Sequence, residues 1–217
     1  MSASAAIRPD TPLNPWLEDR LWKLGADGPV LDVGCGRGYW LERIGGAGLA
    51  VVGVEPDVQR ARLGAAFAPV AAGDGTRLPL ASSTLGLVWC IHVLHHLPDP
   101  AAALAEFRRV LRPGGHLILA ETVDDNPIVR IGRRIHPEWD GVHIHSRFTG
   151  ATLLGLVAGA GFDVVDRRQH SLVSFAAWGL PAGGRRAWNA LARVEGLLPA
   201  STSRWGAHVE CVARAAG

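Results

Sequence analysis

"VLDVGCGRGYW", residues 30–40, decides the fold: a short apolar run breaks into glycines at 34, 36 and 38 and then restarts as "YWLERIGGAG" with helical composition. A strand that ends in such a turn brings backbone close to a ligand at a helix start. The spacing is G-x-G-x-G. A dinucleotide fingerprint is G-x-G-x-x-G, and Tyr39 stands where its third glycine is needed, so the turn serves a ligand without a pyrophosphate.

The same rhythm continues outward. "PVLDVG", "AVVGVEP", "APVAAGD", "LGLVWCIH" and "GHLILAE" are strand-length runs bounded by Gly, Pro or Asp, and "DVQRARLGAAF" and "DPAAALAEFRRVL" between them read as helices. In the latter, Asp99-Pro100 supplies an N-cap and a proline at the first helical position, while Ala103, Leu104, Phe107, Val110 and Leu111 form one stripe. Strands apolar on both faces that alternate with helices imply an open, doubly wound α/β sheet. Its ligands lie beyond the carboxyl ends of the strands.

Beyond residue 121 the pattern changes. Residues 122–148 show no sustained period and carry His136, Trp139, His143 and His145, which reads as an irregular binding loop or lid. Thr149 then caps an apolar helix, "DVVDRR" reads as a strand, 183–198 as an amphipathic helix and 207–215 as a final strand. Near the N-terminus, residues 13–24 form a helix expected to pack on the sheet edge, with Trp16 and Arg20 facing the ligand site as the alternative. The division is a cap segment over 1–28, a ligand-binding core over 29–121, and a lid with completing elements over 122–217, all in one domain.

Composition excludes several classes. A chain of 217 residues with mean hydropathy +0.14 buries one sizeable core. The net charge is +2 and Lys23 is the single lysine, the other cations being arginine, with no basic run longer than two residues, so no nucleic-acid partner is expected. No stretch has the length of a membrane span and the N-terminus lacks an apolar leader core, which gives a cytoplasmic expectation. Cys35, Cys90 and Cys211 have neither even number nor CxxC spacing, and no metal site is expected. The tryptophans at 139, 178, 188 and 205 fit an apolar or aromatic pocket and fit interface packing equally well. Monomer and homodimer both remain open.

Asp32 before the glycines, Glu55 at the end of the second run, Asp74 in "AAGDG", "CIHVLHH" and "VLRPGGHLILAE" follow in order. Together they resemble the class I S-adenosylmethionine-dependent methyltransferases, in the branch that includes the ubiquinone and menaquinone methyltransferases, over residues 29–121. The resemblance implies a Rossmann-like sheet of seven strands, mostly parallel with an antiparallel last strand. It also implies S-adenosylmethionine as cofactor, S-adenosylhomocysteine as product and a small-molecule acceptor, with a place in secondary metabolism one expectation. Asp32, Gly34, Cys35, Gly36, Gly38, Glu55, Pro56, Asp74, Gly75, Ile91 and His92 are the implied cofactor residues. Glu55 replaces the more common Asp and keeps its chemistry. Absence of an Asn-Pro-Pro-aromatic tetrapeptide after the fourth strand favours small molecules over nucleic acid.

Methyl transfer needs alignment, exclusion of water and, for many acceptors, removal of a proton. Histidine suits that last task. His92 and His95 past the fourth strand, and His143 and His145 in the lid, are the candidates, with packing or positioning roles as their alternatives. A non-methylating reaction on the same fold, or a non-catalytic binding protein, is the other reading.

Overall fold

The structure, a computed structural model, describes residues 15–135, 144–179 and 184–216. Strands β1 (Val30–Val33), β2 (Val51–Glu55), β3 (Val70–Ala72), β4 (Leu85–Ile91), β5 (Leu111–Thr122), β6 (Phe162–His170) and β7 (His208–Ala215) form one sheet in the order β3-β2-β1-β4-β5-β7-β6. Pairing is parallel from β3 to β5, and β7 runs antiparallel to both β5 and β6. Chain order reverses between β1 and β4. That reversal opens a crevice at their carboxyl ends.

The strands read as continuous apolar runs because both faces are covered. On one face Leu31, Val33, Val88, Leu117 and Leu119 meet Leu104 and Phe107 of α4 (Pro100–Val110) and Leu153 and Val157 of α6 (Gly150–Gly159). On the other, Val30, Leu87, Trp89 and Ile118 meet Leu17 and Leu21 of α1 (Pro15–Gly25) and Leu41 and Ile44 of α2 (Tyr39–Gly46). Each helix carries its stop and start signals. Asp99 caps α4 by accepting from Ala102 N–H at 3.0 Å, and Thr149 and Thr152 form a reciprocal capping box on α6.

Three expectations are corrected. Helix α1 lies across central strands β4 and β5, where Leu21 is wholly buried, because a helix periodicity defines an apolar face without saying which strands it covers. Arg20 is turned away from the glycine turn: its guanidinium donates to Asp166 on β6 at 2.9 and 2.5 Å and stacks on Trp16 at 3.7 Å. The stretch after β5 is not irregular throughout, since α5 (Pro127–Ile135) opens on a buried Asn126. The Asn126 side chain accepts from Ile128 N–H at 2.7 Å and Val129 N–H at 3.1 Å. It also donates to the Ser171 and Leu172 carbonyls, tying this segment to the end of β6. Helices α3 (Val58–Gly64) and α7 (Gly184–Glu195) fall where the sequence placed them.

Candidate functional site

The glycine turn follows directly from β1. Gly34, Gly36 and Gly38 have φ of 67°, 55° and 92°, and Gly38 caps α2. At Gly38 the conformation and the packing both demand glycine, since a Cβ would stand 2.8 Å from Gly64 Cα and 2.7 Å from the Phe67 ring. Gly36 differs. Its Cβ direction meets nothing nearer than the Gly34 carbonyl at 4.0 Å, so its lack of a side chain leaves open space in front of the turn.

Two carboxyl groups face this turn. Glu55, 5% exposed at the end of β2, accepts from Gly36 N–H at 2.9 Å through one oxygen and from Asp57 N–H at 3.1 Å through the other. Asp32, 3% exposed, pairs in register with Gly53 and Trp89, and its Oδ2 is sealed without a partner. Burial, and secondarily the charge of Glu55, raise the Asp32 carboxyl well above the usual carboxylate range. An unpartnered carboxyl oxygen beside a second carboxylate calls for a ligand bearing hydroxyl or ammonium donors. A pyrophosphate would meet negative charge and find the Gly36 N–H taken. The residues therefore fit an adenosyl sulfonium ligand.

The other implied cofactor residues lie along the same edge. Cys35 is buried with its thiol against Gly53, and burial with the charges of Asp32 and Glu55 pushes it up to about 12, which makes it a packing group. Asp74, exposed just past β3, accepts from Thr76 N–H at 2.7 Å and from the Thr76 hydroxyl. Gly75 is buried where a Cβ would press on Leu97 at 3.0 Å. Pro56 follows β2 on the surface, and Ile91 closes β4 opposite Ala120.

The histidines separate. His92 continues β4 by donating its N–H to the Ala120 carbonyl at 2.8 Å, and adopts φ 55°, a left-handed conformation costly for a side chain of this size. Burial holds its imidazole below the ordinary histidine range, against the opposing charge of Glu121. His95 lies in a 3₁₀ turn (Leu94–His96), with Nδ1 2.6 Å from the Oε2 of Glu121, a fully buried residue at the end of β5. Burial alone would raise the Glu121 carboxyl, but attraction to His95 and its hydrogen bonds leave it below its usual value. The Glu121 carboxylate accepts from the Nδ1–H of His95 and so fixes the orientation of the ring.

His145 is exposed, and its backbone N–H donates to the His95 carbonyl at 2.9 Å, which ties residue 145 to that turn. His143, His136 and Trp139 lie outside the described residues. Glu121 was not singled out in the sequence, although a carboxylate inside "LILAET" is its signal. His208 and Glu210 of β7 were also missed, and they occupy alternate positions at the start of a strand that is mostly apolar. Among the described residues, no His, Cys, Asp or Glu group has the arrangement of a metal site, and no helix is long and apolar enough to cross a membrane.

Known proteins share this architecture. A family model described as a methyltransferase domain matches residues 31–119. The chain is 30% identical over 179 residues to a ubiquinone biosynthesis O-methyltransferase of Pseudomonas paraeruginosa, covering 74% of this chain and 76% of that one. It is 38% identical over 118 residues to an uncharacterized methyltransferase of Mycobacterium avium, covering 48% and 46%. The chain spans about half the length of other curated relatives, this last one among them. Among solved structures, a putative methyltransferase from Bacillus halodurans superposes with TM-score 0.67 at 17% identity, covering 94% of this chain and 100% of that one. The [4+2]-cyclase SpnF does so with TM-score 0.61 at 20% identity, covering 91% and 80%. With the glycine turn, the seven-stranded sheet and the Pseudomonas relative in agreement, the chain belongs to the class I S-adenosylmethionine-dependent methyltransferases.

Proposed function

We propose that the protein transfers a methyl group from S-adenosylmethionine to a small-molecule acceptor. The observation that carries this reading is the Glu55–Gly36 bond across the β1–β2 edge, with open space left at Gly36 and the unpartnered Asp32 oxygen beside it. When bound, the cofactor supplies a methyl carbon already activated by the sulfonium. The chain's own task is to bind, align and exclude water.

In this reading Glu55 keeps lone pairs on both oxygens for the ribose hydroxyls while it braces the turn. Asp74 accepts from the adenine amine, and the Gly75 N–H donates to a ring nitrogen. Asp32 gives its sealed oxygen to a donor of the ligand. Past β4, His92 borders the acceptor side, and His95, oriented by Glu121, presents Nε2 for an acceptor proton. His145, with His143 beside it in sequence, is the alternative from the lid. The O-methyltransferase named among the relatives supports a hydroxyl acceptor. The cyclase among the fold neighbours favours one second reading, a cofactor-bound site used for a non-methylating reaction.

The test is release of S-adenosylhomocysteine when protein and S-adenosylmethionine are incubated with panels of phenols, amines and carbon acids. Turnover with any panel supports the transferase, whereas cofactor binding without turnover across all panels favours the second reading.

A further inference from the structure

A cluster of rings stands on the far side of His92 from the glycine turn. His208 opens β7, in register with Thr122 at the carboxyl end of β5 and with His170 at the end of β6. Its ring centroid is 5.5 Å from those of His92, His170 and Phe175, and 6.1 Å from that of Trp188 on α7. The His208 Nδ1 is sealed from solvent and has no hydrogen-bond partner. Native interiors rarely leave such an atom unpaired, and a ligand that brings a donor removes the penalty.

The charged groups around the ring are already engaged. Glu210 accepts from Arg168 Nε at 2.7 Å and from His170 Nε2 at 2.9 Å, and the other ring nitrogen of His170 is 2.8 Å from the Ser171 hydroxyl. Glu121 is held by His95. An ammonium would therefore compete with Arg168 and the two histidines for a carboxylate, and a carboxylate ligand would compete with Glu210 for Arg168. A neutral donor meets neither conflict. Burial, then the neighbouring His92 and His170, keep His208 well below the ordinary histidine range, so the ring is neutral at neutral pH and a donor at Nδ1 selects the tautomer with its lone pair there.

We propose that this cluster is the acceptor subsite and that it takes a neutral hydroxylated aromatic molecule, its O–H donated to His208 and its ring laid against Phe175 and Trp188. Offset or edge contacts with these rings suit a flat aromatic ligand. The cluster lies at the same carboxyl-end sheet edge as the cofactor turn, next to His92. The inference rests on the methyltransferase reading and adds the acceptor's chemical class and the residue that recognises it.

The test titrates protein saturated with S-adenosylhomocysteine with p-cresol, 4-methylanisole and benzylamine, using calorimetry and the histidine ring resonances. The expected result is p-cresol binding with a shift of the His208 ring signals, and at least tenfold weaker binding of the anisole and of the ammonium. His208→Leu should bind p-cresol at least tenfold more weakly while keeping S-adenosylhomocysteine affinity and a melting temperature equal to or above the wild type, since the orphaned nitrogen is gone. Trp188→Ala, on a partly exposed helix position, should also weaken p-cresol and spare the fold. Equal p-cresol affinity in His208→Leu, or benzylamine or the anisole binding as tightly as p-cresol, overturns the inference. S-adenosylhomocysteine binding without p-cresol binding overturns it alone, whereas failure to bind S-adenosylhomocysteine at all overturns the methyltransferase reading on which it rests.

Discussion

Replacing Glu55 with alanine separates two roles that its carboxylate combines. In the free protein it accepts from two backbone N–H groups, at 2.9 and 3.1 Å, that hold the glycine turn against β2. Hydrogen bonds to a charged acceptor are worth about 1.5–3 kcal/mol each, and their loss is offset by relief of the repulsion that raises Asp32. A net loss of about 1–3 kcal/mol is expected, and at about 2–4 °C per kcal/mol for a domain of this size the melting temperature falls by roughly 2–12 °C. Cofactor affinity carries a further loss. Removing a charged acceptor of ribose hydroxyls costs about 1.5–3 kcal/mol, or about 10- to 150-fold in Kd. Glu55→Gln keeps the shape and one acceptor oxygen but sets an amide N–H₂ against a backbone N–H, so its affinity should fall between the two. Glu55→Asp should recover most of the binding. Calorimetry with S-adenosylmethionine and thermal melts of the free protein measure both effects. A Kd for Glu55→Ala within twofold of the wild type refutes the ribose role, and an unchanged melting temperature refutes the brace.

Gly36→Val places a side chain into the open space before the turn and forces a β-branched residue to φ 55°, so cofactor binding should vanish while a folded protein with a modestly lowered melting temperature remains; a normal isotherm contradicts this. His95→Ala strands the buried Glu121 carboxylate and should cost about 3 kcal/mol or more in urea unfolding, whereas adding Glu121→Leu should restore part of it; an unchanged midpoint in His95→Ala counts against the pair. Acid should destabilise the fold early. His92 and His208 are held below their unfolded value of 6.5, so the unfolded state takes up protons first and stability falls as pH drops below about 6.5 toward their folded values. The groups facing them are His95, His170, Glu121 and Glu210. The two carboxyls sit below their ordinary value of 4.5, so their contribution persists until lower pH. Melting curves from pH 8 to 5 should show this slope, and His208→Leu should flatten it; a flat wild-type profile contradicts the assignment.

The parallel half of the sheet was legible because its signals are local. Apolar runs with glycine, proline and aspartate at their ends specify buried parallel strands, and Asp99-Pro100 starts α4 as read. The same kind of signal, Asn126-Pro127, opens α5, yet the stretch beyond it lacks a sustained apolar stripe, so the cap went unread. The alternative place for Arg20 fails because its partner, Asp166, is 146 residues away and only the fold brings β6 to α1. Glu121 and His208 share that difficulty. Each is a polar residue in a strand whose neighbours are apolar, and such residues need partners that only strand register supplies. His95 meets Glu121 across β4 and β5, and His208 meets His92 and His170 across three strands.

The central claim is that the turn at residues 34–38, braced by Glu55, holds S-adenosylmethionine. Isothermal titration of the wild-type protein with S-adenosylmethionine, and in parallel with S-adenosylhomocysteine, tests it most directly. The account predicts one site per chain, micromolar binding of both, and loss of both in Gly36→Val. Absence of binding by either ligand, or binding that survives Gly36→Val unchanged, contradicts it.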